Sequence, residues 1–267
     1  MRLTHLLNEY VWPRKWSKNV SGRESMRNAS RMAALMGDPH VSKVTCPMLD
    51  KAAQSLLAEG LTGATVNRHM AAISYALKVA WRIGEISSVP PMPEMQPERA
   101  RERCLSRAEV DELCSHITSQ RVCDLIRFLY DTGMRVTEAL NLRWEDIDGN
   151  HATVRTLKGG APRIVPLTKT ALGTLRREDP VRVWTVSQDS LNWNFKTARE
   201  RSITMRGQED VVPHALRHSA ASRLVAAGAD VAMVKEFLGH RNITTTMRYV
   251  HLNKERLAKA ATLLEKS

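Results

Sequence analysis

Leu238-Gly239-His240-Arg241-Asn242-Ile243-Thr244-Thr245-Thr246-Met247-Arg248-Tyr249 sets a histidine after a glycine and a tyrosine nine residues beyond it. A second basic cluster, His214-Ala215-Leu216-Arg217-His218, lies just upstream. Far earlier, Asp131-Thr132-Gly133-Met134-Arg135 puts an arginine behind a glycine that closes a helical stretch. Two arginines, two or three histidines and a phenol suffice to break a phosphodiester without a metal. The arginines hold non-bridging oxygens, the histidines handle protons and hydrogen bonds, and the phenol attacks. Each residue alone has an ordinary explanation: a surface arginine, a half-buried tyrosine, a histidine capping a helix. Order and spacing together carry the reading, which is a chain that cuts and rejoins DNA.

Composition agrees with a polyanionic partner. The 267 residues carry a net charge of +12, and residues 1–103 and 104–267 hold +6 each. Charge spread in this way suits a protein that grips a duplex from two sides; charge that only aids solubility is the alternative. The four cysteines, Cys46, Cys104, Cys114 and Cys123, show no paired metal-ligand spacing, and Cys114 falls among apolar neighbours. Free thiols in a reducing cytosol are expected. The N-terminus lacks the apolar run of a signal peptide, and no stretch approaches the ~18 apolar residues of a membrane span. A cytoplasmic, nucleoid-associated protein is expected.

The clearest break is residues 87–103, containing Ser87-Ser88-Val89-Pro90-Pro91-Met92-Pro93 and Pro97. Its prolines exclude a continuous helix or central strand, so it reads as an extended linker. It parts a helical domain, 1–86, from a second domain, 104–267, that opens on the capping box Ser106-Arg107-Ala108-Glu109. In the first domain Val66, Met70, Ile73, Leu77 and Ala80 mark one face of a helix over Thr65–Arg82. Arg68, Tyr75, Lys78 and Arg82 take the opposite face, a cationic stripe with an aromatic and no acid, read as DNA-facing, with a solvated face as the alternative. In the second domain helices are expected over Ser106–Thr118, Val122–Thr132 and Val136–Leu142. Strands His151–Leu157 and Arg163–Leu167 then flank a turn at Lys158-Gly159-Gly160-Ala161-Pro162. Helices dominate from there on.

Over about residues 104–252 the second domain resembles the catalytic domain of the tyrosine recombinase (phage integrase) family. One box is Gly133-Met134-Arg135-Val136-Thr137-Glu138-Ala139-Leu140-Asn141-Leu142-Arg143-Trp144-Glu145-Asp146-Ile147; the other runs from Pro213-His214-Ala215-Leu216-Arg217-His218 through Leu238-Gly239-His240 to Tyr249. Lys158, five residues before Arg163, matches the family's catalytic lysine. Residues 1–103 resemble its core-binding domain only through length, helicity and charge. The resemblance implies a mostly α fold with a small antiparallel β-hairpin or sheet in the catalytic domain, two domains clamping DNA, and recombination through a covalent 3′-phosphotyrosine. Six positions would be catalytic: Arg135, Lys158, His214, Arg217, His240 and Tyr249. Arg135 and Arg217 would hold the phosphate, His214 accept the proton of Tyr249, Lys158 protonate the leaving 5′ oxygen, and His240 bond a non-bridging oxygen. Glu138 would orient an arginine rather than react.

No cofactor and no metal are expected: Glu145, Asp146 and Asp148 read as surface acids, and there is no phosphate-cradling glycine loop. The partners implied are double-stranded DNA recombination sites, a homo-tetramer on two duplexes, and accessory bending or directionality factors. About 85 residues before the linker leave little room for an arm-binding domain, which resembles short phage, plasmid or integrative-element enzymes. Asn253–Ser267 places Leu257, Ala261 and Leu264 on one helical stripe, to pack on its own domain or on a neighbouring protomer. A type IB topoisomerase, a non-catalytic DNA-binding regulator and a protein-interaction module are the rival readings.

Overall fold

Leu3, Leu6, Leu7 and Val11 recur at helical spacing and are fully buried; they form α1 (Leu3–Leu6), continued by one π-wound turn over Leu7–Val11. The computed structural model describes residues 1–97, 103–155, 162–240, 242–247 and 249. Lys158 and the stretch Asn253–Ser267 lie outside the described residues. The chain divides into two units, Met1–Ala100 and Arg101–Ser267. Among the described residues no helix is long and apolar enough to cross a membrane.

In the first unit α1 is joined by α2 (Gly22–Leu35), α3 (Cys46–Ala58) and α4 (Gly63–Arg82). Pro47 sits in the first turn of α3, where its missing N–H costs nothing. Thr62 caps α4 by accepting from the Thr65 amide. The apolar face read from the sequence is the buried one: Val66, Ile73, Leu77 and Ala80 meet Leu3, Leu6, Met32 and Leu56 in one core.

Residues 89–97 form neither helix nor strand, in keeping with their prolines, and they lie back along α4. Val89 borders Lys78, Trp81 and Arg82 near the end of α4. At the far end the Asn67 amide donates to the Gln96 carbonyl and accepts from the Gln96 N–H, both at 2.9 Å. A Cβ on Gly63 would stand 2.6 Å from the Pro97 carbonyl oxygen, so a glycine is needed where this strap crosses the helix start.

The second unit opens with α5 (Arg107–Ser115), whose capping box is formed: Ser106 and Glu109 each bond the other's backbone N–H. Then come α6 (Gln120–Thr132), α7 (Val136–Leu140) and a sheet, β1 (Ile147–Asp148), β2 (His151–Val154) and β3 (Arg163–Pro166). The sheet is antiparallel in the order β1-β2-β3, with Val154 opposite Arg163. It thus has one more strand than the hairpin expected, because Gly149, at φ 52, turns Ile147–Asp148 back onto β2. The remaining helices are α8 (Lys169–Gly173), α9 (Gln188–Arg201), α10 (Pro213–Ala226), α11 (Val231–Leu238) and α12 (Thr244–Met247). Phe128, Trp184, Phe195 and Leu216 anchor the core.

Two expectations need correction. Asp146 is not a surface acid: it is buried, accepts from the Arg143 N–H and pairs with Arg155 at 2.8 Å. The helix expected to run to Leu142 ends at Leu140, since Leu142 trades backbone hydrogen bonding toward Val183.

Candidate active site

Arg217, on α10, is a buried cation, 3% exposed. Its Nη1 donates to the Gly133 carbonyl and its Nη2 to the Leu238 carbonyl, both at 2.7 Å. Those oxygens belong to the C-terminal ends of α6 and α11, where unsatisfied carbonyls gather and the helix dipole is negative. Each helix is closed by a left-handed glycine, Gly133 at φ 61 and Gly239 at φ 67. A Cβ would lie 2.7 Å from Leu238 Cδ2 at the first and 2.7 Å from Arg163 Cδ at the second, so both glycines are required by conformation and by space. Burial, followed by repulsion from Arg135, lowers the Arg217 pKa to about 9, with Glu138 opposing. The group stays charged at neutral pH.

Arg135 stands at the start of α7, two residues past Gly133, with a side chain 41% exposed. Glu138, one turn on, organises the cations. Its Oε1 accepts from Arg135 Nη1 (2.8 Å) and Arg163 Nη1 (3.1 Å); its Oε2 accepts from the Arg135 N–H (2.9 Å) and Arg163 Nη2 (2.8 Å). Burial alone would raise its pKa, but the Arg163 side chain and the Arg135 backbone outweigh that and bring it down to about 2. The expectation that Glu138 orients an arginine describes half of its contacts; Arg163, from the first position of β3, supplies the rest.

Tyr249 follows α12 in a turn and is 6% exposed, its ring among Ala221, Val225, Val234 and Leu238. Its hydroxyl is 2.5 Å from Nδ1 of His218. His218 is buried, and the ring of His214, one turn earlier on α10 and exposed, meets it edge-on at 4.8 Å between centroids. His240, just past Gly239, is buried with Nδ1 bonded to Thr246 Oγ1 at 2.8 Å, which fixes its ring plane. Arg217 holds the carbonyl of Gly133, two residues before Arg135, and that of Leu238, whose side chain shares a cluster with Tyr249, so these groups converge. Among the described residues no three His, Cys, Asp or Glu side chains gather to hold a metal ion.

Comparison with known proteins gives this arrangement a family. The phage integrase family matches residues 103–256. The chain belongs to the phage integrase family. The tyrosine recombinase XerC of Bifidobacterium longum subsp. infantis is 31% identical over 252 residues, covering 84% of this chain and 69% of its own. A Tn1549 transposon integrase solved with circular intermediate DNA has a TM-score of 0.75 at 18% identity, over 93% of this chain and 95% of that one. A lambda integrase tetramer bound to a Holliday junction has a TM-score of 0.79 at 16% identity, over 91% and 79%. These two structures speak to the fold. The chain is a tyrosine recombinase, an enzyme that cleaves and rejoins DNA strands in site-specific recombination.

In the first unit of the recombinase, Arg68, Lys78 and Arg82 are exposed along α4, as a stripe facing outward requires. Tyr75 is half-buried: its ring packs against Trp16 at 5.9 Å, with Lys15 Nζ 5.0 Å above it. Between α2 and α4 runs a groove of about 640 Å³, with Arg68 and Tyr75 on one wall and Glu24, Ser25 and Asn28 on the other.

Sequence reasoning missed three contributors. By pattern Arg163 is only a strand residue, yet it pairs with Glu138 from the first position of β3. The α2 wall of the groove carries no motif. His218 stands in the sequence only as a member of the basic cluster, and the structure sets its Nδ1 2.5 Å from the Tyr249 hydroxyl.

Proposed function

We propose that the site breaks a DNA phosphodiester by attack of Tyr249 and conserves its energy as a 3′-phosphotyrosine, which a 5′-hydroxyl reverses without ATP. The observation that carries this is the convergence of Arg217, held by two helix ends, with Arg135 and Tyr249. With two of five donors fixed on carbonyls, the Arg217 fork is preorganised, and the remaining donors face the negative charge that builds on the equatorial oxygens. Arg135, more exposed, supplies the second fork, and His240, its ring held by Thr246, a further hydrogen bond. Lys158 is the proposed general acid for the leaving 5′ oxygen.

The partner is duplex DNA at recombination sites, gripped by both units. In this reading the cationic stripe of α4 neutralises phosphates, and the groove against α2 offers Arg68, Ser25 and Asn28 as readers of base edges. Recombination joins two duplexes through four cleavages, so the working unit is a homo-tetramer; accessory bending or directionality factors are further partners.

The test is a nicked suicide substrate that traps the covalent adduct. Wild type accumulates a 3′-DNA–protein adduct, whereas Arg217→Ala binds the same duplex with nearly unchanged affinity and forms adduct on the order of 10²–10³-fold more slowly. An equal fall in binding and cleavage makes Arg217 an ordinary backbone contact and ends this reading. Joining of two different duplexes then separates a recombinase from a topoisomerase.

A further inference from the structure

We propose that Cys114 and Cys123 form a site of reversible oxidation, at which a peroxide turns the two thiols into a disulfide that ties α5 to α6 and slows strand cleavage. Neither cysteine has a part in the chemistry described above. The linkage is independent of that chemistry, whereas its effect on cleavage rests on the reading of Arg217 as a phosphate ligand.

The two thiols face each other across a pair of helices. Cys114 lies in the last turn of α5 and Cys123 in the first turn of α6. Each sulfur reaches the other residue's backbone: Cys123 Sγ is 3.4 Å from the Cys114 carbonyl oxygen, and Cys114 Sγ is 3.9 Å from that of Cys123. A reciprocal contact of this kind sets sulfur beside sulfur, and the thiols share a hydrogen bond. Asp111 and Arg127, about one turn away on the same two helices, pair at 3.3 Å, so the helices run antiparallel with the cysteines opposite each other. The cysteines are only 6% and 4% exposed, yet they lie close beneath the surface. Ser115 and residues 118–120, which join the helices, are exposed. A molecule as small as a peroxide needs only a local opening of that turn to arrive.

The shared hydrogen bond divides the roles. It holds the Cys123 thiol below the ordinary thiol range, while the same bond, with burial, pushes Cys114 up. Cys123 is therefore the attacking sulfur and Cys114 the resolving one. In the first step Cys123 Sγ bonds to one oxygen of hydrogen peroxide and the O–O bond breaks. The departing hydroxide takes up the thiol proton and leaves as water, and the sulfur becomes a sulfenic acid. Cys114 Sγ then bonds to Cys123 Sγ, the S–O bond breaks, and the Cys114 proton leaves with the oxygen as a second water. The sulfurs lose two electrons and the peroxide gains them; a dithiol reverses the change.

An S–S bond of ~2.05 Å draws the sulfurs in from van der Waals contact, so α5 and α6 shift toward each other. From Cys123, α6 runs unbroken to Gly133, whose carbonyl holds Arg217 at 2.7 Å. A displacement of its first turn is carried to that carbonyl, and a misplacement of about 1 Å costs up to about 10²-fold in rate.

The experiment uses the full chain, reduced and then treated with hydrogen peroxide. Remaining thiols are blocked with iodoacetamide under denaturing conditions, and the protein is digested with trypsin without reduction. Cleavage after Arg121 puts the two cysteines on separate peptides, so their disulfide shows as a linked pair. The linked pair is expected, with the other two of the four cysteines alkylated. Adduct formation on the nicked substrate is expected to slow about 10-fold with duplex binding unchanged, and dithiothreitol is expected to restore it. That recovery needs no substitution. Cys123→Ala, checked by thermal unfolding, is expected to form no linkage and to keep its adduct rate under peroxide. Four alkylated cysteines, a linkage through Cys46 or Cys104, or oxygen added to Cys123 without a link overturns the site. A linkage with an unchanged adduct rate, or equal slowing of Cys123→Ala, overturns the switch. Absence of adduct from reduced wild type condemns the reading of the nucleophile instead and leaves the linkage standing, so the failures are distinguishable.

Discussion

Glu138 is the residue on which the cationic half of the site depends, because among the described residues its four hydrogen bonds all come from Arg135 and Arg163. Removing its charge leaves a buried guanidinium, Arg163, without its carboxylate. Glu138→Gln is expected to cost about 3 kcal/mol at pH 7, read by denaturant unfolding. The pKa falls from 4.5 to about 2 on folding, so the ion pair's contribution is complete above pH 4.5 and is lost as pH drops toward 2. The stability gap between wild type and Glu138→Gln is therefore expected to be flat near neutrality and to close over that acidic window; a gap constant with pH would mean a packing role. At Arg217, replacement by lysine keeps the charge but gives up the rigid planar fork that spans two carbonyls and a phosphate, and Arg217→Lys is expected to lose adduct formation on the order of 10²–10³-fold with binding retained. Arg135, Arg217, His240 and Tyr249 could be singled out by their order along the chain. The contact of the phenol with His218 was not, because His214 and His218 share one face of α10 and the sequence does not distinguish them.

Elements place these residues by how they end. α6 and α11 stop at left-handed glycines and turn their last carbonyls toward one guanidinium. Gly133→Ala puts a Cβ 2.7 Å from Leu238 Cδ2 at φ 61, and is expected to destabilise by about 1–3 kcal/mol and to slow cleavage more than binding. Destabilisation without a cleavage defect would separate the cap from the site. The strap along α4 is tested in the same way. Asn67→Ala deletes both bonds to Gln96 and is expected to cost about 1–3 kcal/mol and to open residues 89–97 to protease; unchanged cleavage of that stretch would show that the prolines hold it unaided. Some elements could be read beforehand, such as the Ser106 capping box, the Gly133 cap and the α4 face, since each rests on local chemistry. The third strand could not, because Ile147–Asp148 is too short to show alternation. Likewise the strap reads only as proline-rich chain until Asn67 and Gly63 are seen to receive it.

Across the whole molecule, a net charge of +12 is expected to make DNA binding steeply salt-dependent through release of counterions. Charge reversal of Lys78 or Arg82, both exposed on α4, is expected to weaken binding and reduce the salt slope by about one unit each. An unchanged slope would return that face to plain solvent. The central claim, that Tyr249 is the nucleophile of a site organised by Arg217 and Arg135, is met most directly by trapping adduct on a nicked suicide substrate with wild type and Tyr249→Phe side by side. Loss of a single hydroxyl leaves the charge of the protein intact, so the Phe variant is expected to bind the duplex as wild type does and to form no covalent adduct. A covalent adduct from Tyr249→Phe would contradict the account.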